Sequence, residues 1–294
     1  MYALSLLWEG WDRWWFSPCD PRVMAALRIG WGLLLIWLFA PMWGELDWMF
    51  TAEGTYPIAA QAADTEWYHF TVYSWLGAES LGEVQLIFGA TLACFALVVL
   101  GLGSRVVVPL AWLLLLSMIN RNGVWTDSSD AMMRVFGFYL ILMPTGRAWS
   151  VDVWLRKRLG WRPQPPPAHW SLRLFQLQLC ILYVKTGIVN AMDSRWQDGV
   201  AIFHTLSEAA AWRFPMEEFL AREWFQTCTI GATWATLVFQ AAFFLAFIPR
   251  LRRWWLLGGL CLHVGLFVFV EAGGLTMVVL WTYLAFLLFP ERPR

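Results

Sequence analysis

Some ionisable side chains lie inside long apolar runs of this sequence, where such groups are unfavourable and usually mark function. Lys185 lies in the run 182–187 and His263 in the run 260–266. The lysine could act as a base or contact a substrate in an outward-facing cavity. It could equally extend its amine to the nearby membrane surface or pair with a carboxylate. The histidine could transfer a proton or orient a ligand, or it could be a hydrogen-bonded structural residue.

Further polar residues concentrate at 120–134, between two apolar runs. An ion pair between Arg121 and Asp130 could hold the turn there, and a substrate-binding role is equally open. Gln240 lies in the middle of another apolar run, where it could bond a neighbouring helix or contribute to a site. The cluster consists of Asn120, Arg121, Asn122, Asp127, Ser128, Ser129, Asp130 and Arg134.

Apolar runs fill most of the chain, and they must position these residues. The sequence of 294 residues is 59% hydrophobic and 14% charged, whereas a soluble domain carries about 25% charge. A helix needs about 20 mainly apolar residues to cross a membrane. We therefore predict an all-α, polytopic transmembrane bundle of about eight spans in contact with the lipid bilayer. The predicted spans are 23–43, 84–102, 105–120, 130–146, 171–192, 228–248, 253–270 and 274–290.

The connecting segments alternate in charge. Segment 44–83 has seven acidic residues and no lysine or arginine, whereas 146–173 has six basic residues and one acid. The turn at 249–253 contains three arginines. The positive-inside rule places the basic segments and both termini in the cytoplasm. Eight spans satisfy every segment, whereas six or seven would put a basic segment on each side, so we predict a multi-pass protein of the inner (plasma) membrane.

This orientation places several polar residues in the outer half of the membrane. Together with the cluster at 120–134 they predict one polar chamber, roofed by outer segments that contain short interfacial helices. These residues are Lys185, Asn190, Asp193 and Glu271. The predicted boundaries are 1–22 for an interfacial N-terminal segment, 23–290 for one transmembrane domain, 23–146 for spans one to four, 147–170 for a cytoplasmic proline-rich connector, and 171–290 for spans five to eight.

Several other classes of site are not predicted. The four histidines share no metal-ligand spacing, and His204 with Glu208 is a pair that is usually solvated. The five cysteines form no C-x-x-C pair, so neither a metal site nor a disulfide framework is expected. The arginines follow the membrane topology and form no patch for nucleic acid.

Four segments together resemble the HTTM family, the membrane domain shared by vitamin K-dependent gamma-carboxylases and many bacterial proteins. The resemblance covers about residues 20–290. Its segments are Arg121-Asn122 with Asp130, Pro144-x-Gly146 and Ser150-Val151-Asp152; Leu177-Gln178-Leu179 with Tyr183, Gly187 and Trp196-x-Asp198-Gly199; the run from Gln240 to Arg250 and Arg252-Arg253; and His263.

The resemblance implies a helical bundle with an outward-facing active-site chamber and a quinone or hydroquinone as ligand. It also implies a lysine three residues after Gly187, which serves as the base in the carboxylases, and a glutamate at position 240. This chain has Asn190 and Gln240 there. Lys185 lies five residues before Asn190, and five residues turn a helix by about 140°. The missing lysine argues against carboxylase activity.

Two functions stay open at this point. One is a membrane enzyme acting on a lipophilic quinone-like or peptide substrate, and the other is a non-catalytic membrane partner for maturation or export of a secreted peptide or protein. A transporter is the least favoured alternative. The predicted catalytic residues are Lys185, His263 and Asn190, and the predicted substrate-binding residues are Arg121, Asn122, Asp130, Trp196 and Gln240.

Overall fold

The fold is helical throughout the part of the chain that can be described. The computed structural model describes residues 2–64, 69–123, 126–208, 212–271 and 274–287. Seventeen α-helices and several short 3-10 segments occur in these ranges, and no β-strand does. The predicted all-α class is therefore confirmed for these residues. The predicted domain end at 288–290 and the charged C-terminal residues 291–294 lie outside them.

The chain divides into two compact units, one ending at Arg173 and the other formed by Leu174–Leu287. In the first unit, α2, α6, α7 and α8 pack against one another. Its helices are α1 (Tyr2–Phe16), α2 (Pro21–Phe39), α3 (Leu46–Phe50), α4 (Ile58–Asp64), α5 (Val72–Leu76), α6 (Leu81–Leu100), α7 (Ser104–Arg121), α8 (Ser128–Ile141) and α9 (Val151–Arg158).

The second unit contains most of α10 and all later helices. Here α14 packs against α12 and α15, and α15 packs against α16. The helices are α10 (Trp170–Ala191), α11 (Ser194–Gln197), α12 (Ala201–Ser207), α13 (Glu217–Leu220), α14 (Glu223–Ala241), α15 (Pro249–Phe269), α16 (Leu275–Thr282) and α17 (Leu284–Leu287).

Four helical stretches among the described residues are long and apolar enough to cross a membrane. They are Pro21–Phe50, α6, α7 and α10. The other four predicted spans fall on helices that are shorter or more polar. The 14 residues of α8 measure about 21 Å, less than the ~30 Å hydrocarbon core. This helix ends early because Pro144 disfavours helical backbone at the residue before it.

A close approach of two helices forms part of the core of the first unit. Trp31 of α2 is fully buried, and its indole N–H donates to the Met133 carbonyl at 3.1 Å. The ring lies against Gly137 of α8, where an added Cβ would approach Trp31 Cζ2 to 2.5 Å. Glycine at this position therefore allows the large indole to fill the space between the helices.

The two segments predicted to lie outside the membrane contain short helices. Segment 44–83 includes α3, α4 and α5, and segment 193–227 includes α11, α12 and α13. Each of these helices has seven residues or fewer. Their position at a membrane interface stays a prediction.

Candidate functional site

Three side chains of the second unit form a continuous buried hydrogen-bonded chain. Tyr183 of α10 places its hydroxyl 2.7 Å from His263 Nε2 on α15. The same hydroxyl lies 2.6 Å from the Tyr283 hydroxyl, at the end of α16. All three residues are buried. We call Tyr183, His263 and Tyr283 the tyrosine–histidine cluster.

Aromatic rings and small residues surround this cluster. The Tyr183 ring stacks on Phe243 with centroids 4.2 Å apart and meets Phe239 edge-on at 5.3 Å. On α15, Gly259 faces the Tyr283 hydroxyl, and an added Cβ would lie 2.7 Å from Phe239 Cζ. The polar atoms therefore lie in an apolar, closely packed environment where water competes little for their hydrogen bonds.

The chemistry available to the cluster is proton transfer and hydrogen bonding without a net charge. A phenol and a neutral imidazole each carry one donor and at least one acceptor, so the direction of the hydrogen bonds can reverse along the chain. His263 Nδ1 is buried and has no hydrogen-bond partner among the described residues. A further polar group could therefore bond to this nitrogen.

A second polar contact joins α10 to α14. Asn190 Nδ2 donates to Gln240 Oε1 at 2.8 Å, and both side chains are half-buried. The helices touch one turn earlier, because a Cβ on Gly187 would lie 2.7 Å from the Ala241 nitrogen. Asn190 and Gln240 are thus in direct contact as two neutral amides. The sequence resemblance implies a lysine and a glutamate at these two positions.

Lys185 lies apart from this contact. Its side chain is exposed and makes no hydrogen bond or ion pair with the described residues. It also lies on another face of α10 from Asn190, because five helical residues rotate the side chain by about 140°. A catalytic role for Lys185 stays a prediction.

Arg121 and Asn122 bind the backbone of segment 44–83. The two terminal nitrogens of Arg121 donate to the carbonyls of Phe50 and Tyr56, each at 2.6 Å. Asn122 Nδ2 donates to the Met49 carbonyl at 2.8 Å. Arg121 and Asn122 are both buried. Their visible role is to hold this segment against the end of α7, and a role in substrate binding stays a prediction.

Asp130 binds the backbone at the start of its own helix, α8, whereas Arg121 binds segment 44–83. Its carboxylate accepts the Asp127 backbone N–H at 3.0 Å, and Asp127 in turn accepts from residues of the first turn of α8. The two aspartates form a capping box, which satisfies N–H groups that a helix start leaves open. The turn is therefore held by this cap, in place of the Arg121–Asp130 ion pair that the sequence left open.

Trp196 lies in the short helix α11 and is half-buried. Asp193 caps this helix, and Arg195, which donates to it at 2.8 Å, holds the pKa of the Asp193 carboxyl below its usual range. Gly199 has a φ of 75°, and an added Cβ would lie 2.8 Å from Trp234 Nε1. The Trp-x-Asp-Gly sequence thus makes a tight turn against α14, and substrate binding by Trp196 stays a prediction.

The sequence patterns did not predict two buried polar groups, the Tyr283 hydroxyl and the Arg28 guanidinium. Tyr283 was not distinguished from other aromatic residues, because a phenol in an apolar run carries no charge signal. Arg28 of α2 is fully buried and donates to the carbonyls of Thr145 and Trp149 at 2.8 and 2.6 Å. An arginine inside an apolar run was the signal that could have revealed it.

The predicted chamber combines residues of both units, namely the cluster at 120–134 in the first and Lys185, Asn190, Asp193 and Glu271 in the second, and it stays a prediction. Within the described residues, no group of three histidine, cysteine, aspartate or glutamate side chains could hold a metal ion.

Comparison with known families gives a match over nearly the whole sequence. The family model named HTTM domain matches residues 16–289. The chain belongs to the HTTM family. No curated protein and no solved structure matches it. The family resemblance predicted from the four sequence segments is therefore confirmed.

The HTTM match and the apolar helices together identify a membrane protein, and its helices contact the lipid bilayer. Within the HTTM domain, the tyrosine–histidine cluster and the Asn190–Gln240 contact are both in the second unit. They share α10 as a common support, with Tyr183 and Asn190 separated by seven residues. Seven residues make about two helical turns, so both side chains project from nearly the same face of α10.

Proposed function

We propose that this HTTM protein binds a lipophilic quinone-like molecule at the tyrosine–histidine cluster and exchanges a proton with it there. The observation that carries the proposal is the buried chain from Tyr283 through Tyr183 to His263, with distances of 2.6 and 2.7 Å. A quinone carbonyl accepts a hydrogen bond and a hydroquinone hydroxyl donates one, so both forms suit groups that can exchange donor and acceptor roles.

The neutral character of the cluster supports this proposal. Burying an isolated charge in an apolar environment is strongly unfavourable, whereas hydrogen-bonded neutral groups are tolerated. The rings of Phe239 and Phe243 supply flat apolar surface next to Tyr183, which suits an aromatic ligand ring. Nδ1 of His263 is buried and has no hydrogen-bond partner among the described residues, so it could bond to a ligand oxygen.

Carboxylase chemistry is not part of the proposal. The position of the family lysine holds Asn190, whose amide is engaged by Gln240 at 2.8 Å. An amide is not a base near neutral pH, and Lys185 lies on another face of α10. We therefore propose ligand binding and proton exchange without the lysine-driven step.

A fluorescence titration tests the proposed function. The protein has 23 tryptophans, so a bound quinone should quench its emission. We expect purified protein in lipid nanodiscs to bind menadione saturably, and Tyr183→Phe to weaken binding about tenfold, which corresponds to one lost hydrogen bond of about 1.4 kcal/mol. The control is Tyr139→Phe in the first unit, which should bind like the wild type. Absence of saturable binding by the wild type would refute the proposal.

We also propose that the domain crosses the inner membrane eight times with both termini in the cytoplasm. The support is the alternation of acidic and basic segments together with the position of a helix at each predicted span. Cysteines introduced as Ala52→Cys and Arg158→Cys, in a background lacking Cys228 and Cys261, should react with an impermeant maleimide from outside and inside respectively. The reverse pattern would overturn this topology.

A second function is favoured by one observation. Arg121 and Asn122 attach segment 44–83 to the end of α7 through three carbonyl contacts, which would present a defined outer surface to a secreted peptide or membrane partner protein. Cross-linking in native membranes should then give one stoichiometric complex that Arg121→Met abolishes and Arg134→Met retains. Recovery of the protein without such a complex would exclude this function.

A further inference from the structure

A cavity of about 580 Å³ lies in the first unit, at the end that carries the basic segment 146–173. It is formed where the α6–α7 turn meets the end of α8, the segment at 143–147 and helix α9. Three arginines line it, Arg105, Arg147 and Arg156, and Asp152 is the one carboxylate among the lining residues that the structure describes. The walls therefore carry more positive than negative charge.

Asp152 is already engaged with the protein. Its two carboxylate oxygens accept the backbone N–H groups of Gly103 and Ser104 at 2.7 and 2.9 Å. This contact caps the start of α7. The single lining carboxylate therefore faces three lining arginines, and it already accepts two backbone hydrogen bonds. An anion in the cavity would balance their charge.

A buried hydroxyl at the cavity points to a ligand. Ser104 is 5% exposed, and its Oγ has no hydrogen-bond partner among the described residues although it belongs to a lining residue. Such buried polar atoms are nearly always bonded. Position 146 at this corner requires glycine, because an added Cβ would lie 2.8 Å from Ser104 Oγ and 2.9 Å from Asp152 Oδ2.

Apolar side chains complete the cavity. Leu155, Leu159 and Trp161 line it beside the arginines. The guanidinium of Arg156 lies over the Trp161 ring at 5.1 Å, and Trp161 and Trp154 are both more than half exposed. Exposed tryptophans next to arginines are typical of a helix at the membrane interface. A ligand with one anionic group and one apolar part fits these walls.

We propose that this cavity binds the phosphate group of an anionic phospholipid. Arg105, Arg147 and Arg156 surround the phosphate, Ser104 Oγ donates to it, and the leucines with Trp161 contact the glycerol and upper acyl chains. The proposal is independent of the quinone site, which lies in the other unit. A soluble phosphate ester has the same anionic chemistry, but it has no part that would contact the apolar walls.

Native mass spectrometry of the purified, delipidated full chain tests the proposal, with dioleoyl phosphatidylglycerol and dioleoyl phosphatidylcholine as probes. We expect preferential binding of the phosphatidylglycerol, and about fivefold weaker binding in Arg156→Gln, since an arginine near an anionic headgroup contributes about 1 kcal/mol. Arg158→Gln is the matched control. Arg158 is also on α9 and lies over a tryptophan, Trp154, at 5.4 Å, but it does not line the cavity.

A second variant separates binding from folding. Ser104→Ala should weaken phosphatidylglycerol binding by about fivefold, as expected for one hydrogen bond, without lowering the unfolding temperature of the lipid-free protein. Equal binding of the two lipids, or equal effects of Arg156→Gln and Arg158→Gln, would overturn the proposal. Competition by glycerol 3-phosphate at equal concentration would overturn the lipid assignment and indicate a soluble phosphate compound as the ligand.

Discussion

Tyr183 is the residue on which the tyrosine–histidine cluster depends, because its hydroxyl contacts both other members. Tyr183→Phe removes this hydroxyl and keeps the ring on Phe243. It leaves His263 Nε2 and the Tyr283 hydroxyl without their shared partner. We expect a loss of about 0.5–2 kcal/mol in the free energy of unfolding, the range for interhelical hydrogen bonds in membranes.

Thermal unfolding followed by tryptophan fluorescence in detergent measures this loss. Tyr139→Phe on α8 is the control, since it removes a phenol hydroxyl outside the cluster. Equal unfolding temperatures for Tyr183→Phe and the wild type would show that the cluster contributes nothing to stability.

Asn190 and Gln240 form a neutral pair, and their exchange for charged residues can be tested as a double-mutant cycle. Asn190→Lys alone places an ammonium group beside a half-buried amide and should destabilise by about 1–3 kcal/mol. Adding Gln240→Glu supplies a carboxylate to pair with the ammonium group. We therefore expect the double variant to recover at least ~1 kcal/mol of the free energy of unfolding through coupling between the two side chains. Strictly additive losses in unfolding free energy would mean that the two side chains do not interact.

Helices α10 and α14 approach each other closely at Gly187. An alanine Cβ there would lie 2.7 Å from the Ala241 backbone nitrogen and 3.1 Å from the Gln240 carbonyl carbon. Backbone atoms cannot move aside as a flexible side chain can, so the helices must separate. We expect Gly187→Ala to lower the free energy of unfolding by about 1–3 kcal/mol, as overpacking generally does.

Gly231→Ala provides the control for this helix contact. Gly231 is also on α14, and no atom lies within 4 Å of an added Cβ. Because alanine is the better helix former, this variant should be neutral or slightly stabilising. If both alanine variants unfolded at the same temperature, the close approach at Gly187 would be contradicted.

Segment 44–83 is held against α7 by Arg121. Arg121→Met leaves the Phe50 and Tyr56 carbonyls without their charged donor, and hydrogen bonds to charged groups contribute about 1.5–3 kcal/mol. We expect hydrogen exchange at residues 47–57 to accelerate at least ~tenfold. Arg134→Met changes an exposed arginine of α8 and should leave this exchange unchanged. Equal exchange in both variants would contradict the anchoring role.

At the scale of the whole molecule, the sequence predicted the features that depend on local pattern. Apolar runs predicted the positions of the long helices, and the polar groups within them made Lys185, His263 and Gln240 candidate site residues, a role that stays a prediction. Asn190 became a candidate through the family resemblance. The partners of His263 and Gln240 were not predictable, because Tyr183 is 80 positions from His263 and Asn190 is 50 positions from Gln240, and only packing joins them. Arg121 illustrates the same limit, since it binds backbone carbonyls that have no sequence signature.

For the whole molecule, we propose a membrane protein of the HTTM family that binds a quinone-like ligand through a neutral phenol–imidazole chain and not through the family lysine. Photoaffinity labelling with an azido-substituted menaquinone analogue in nanodiscs locates the ligand directly. Cross-linked peptides should come from α10 and α15, around Tyr183 and His263, and excess menadione should suppress them. Labelling confined to helices of the first unit, or labelling that menadione does not suppress, would contradict the proposed site.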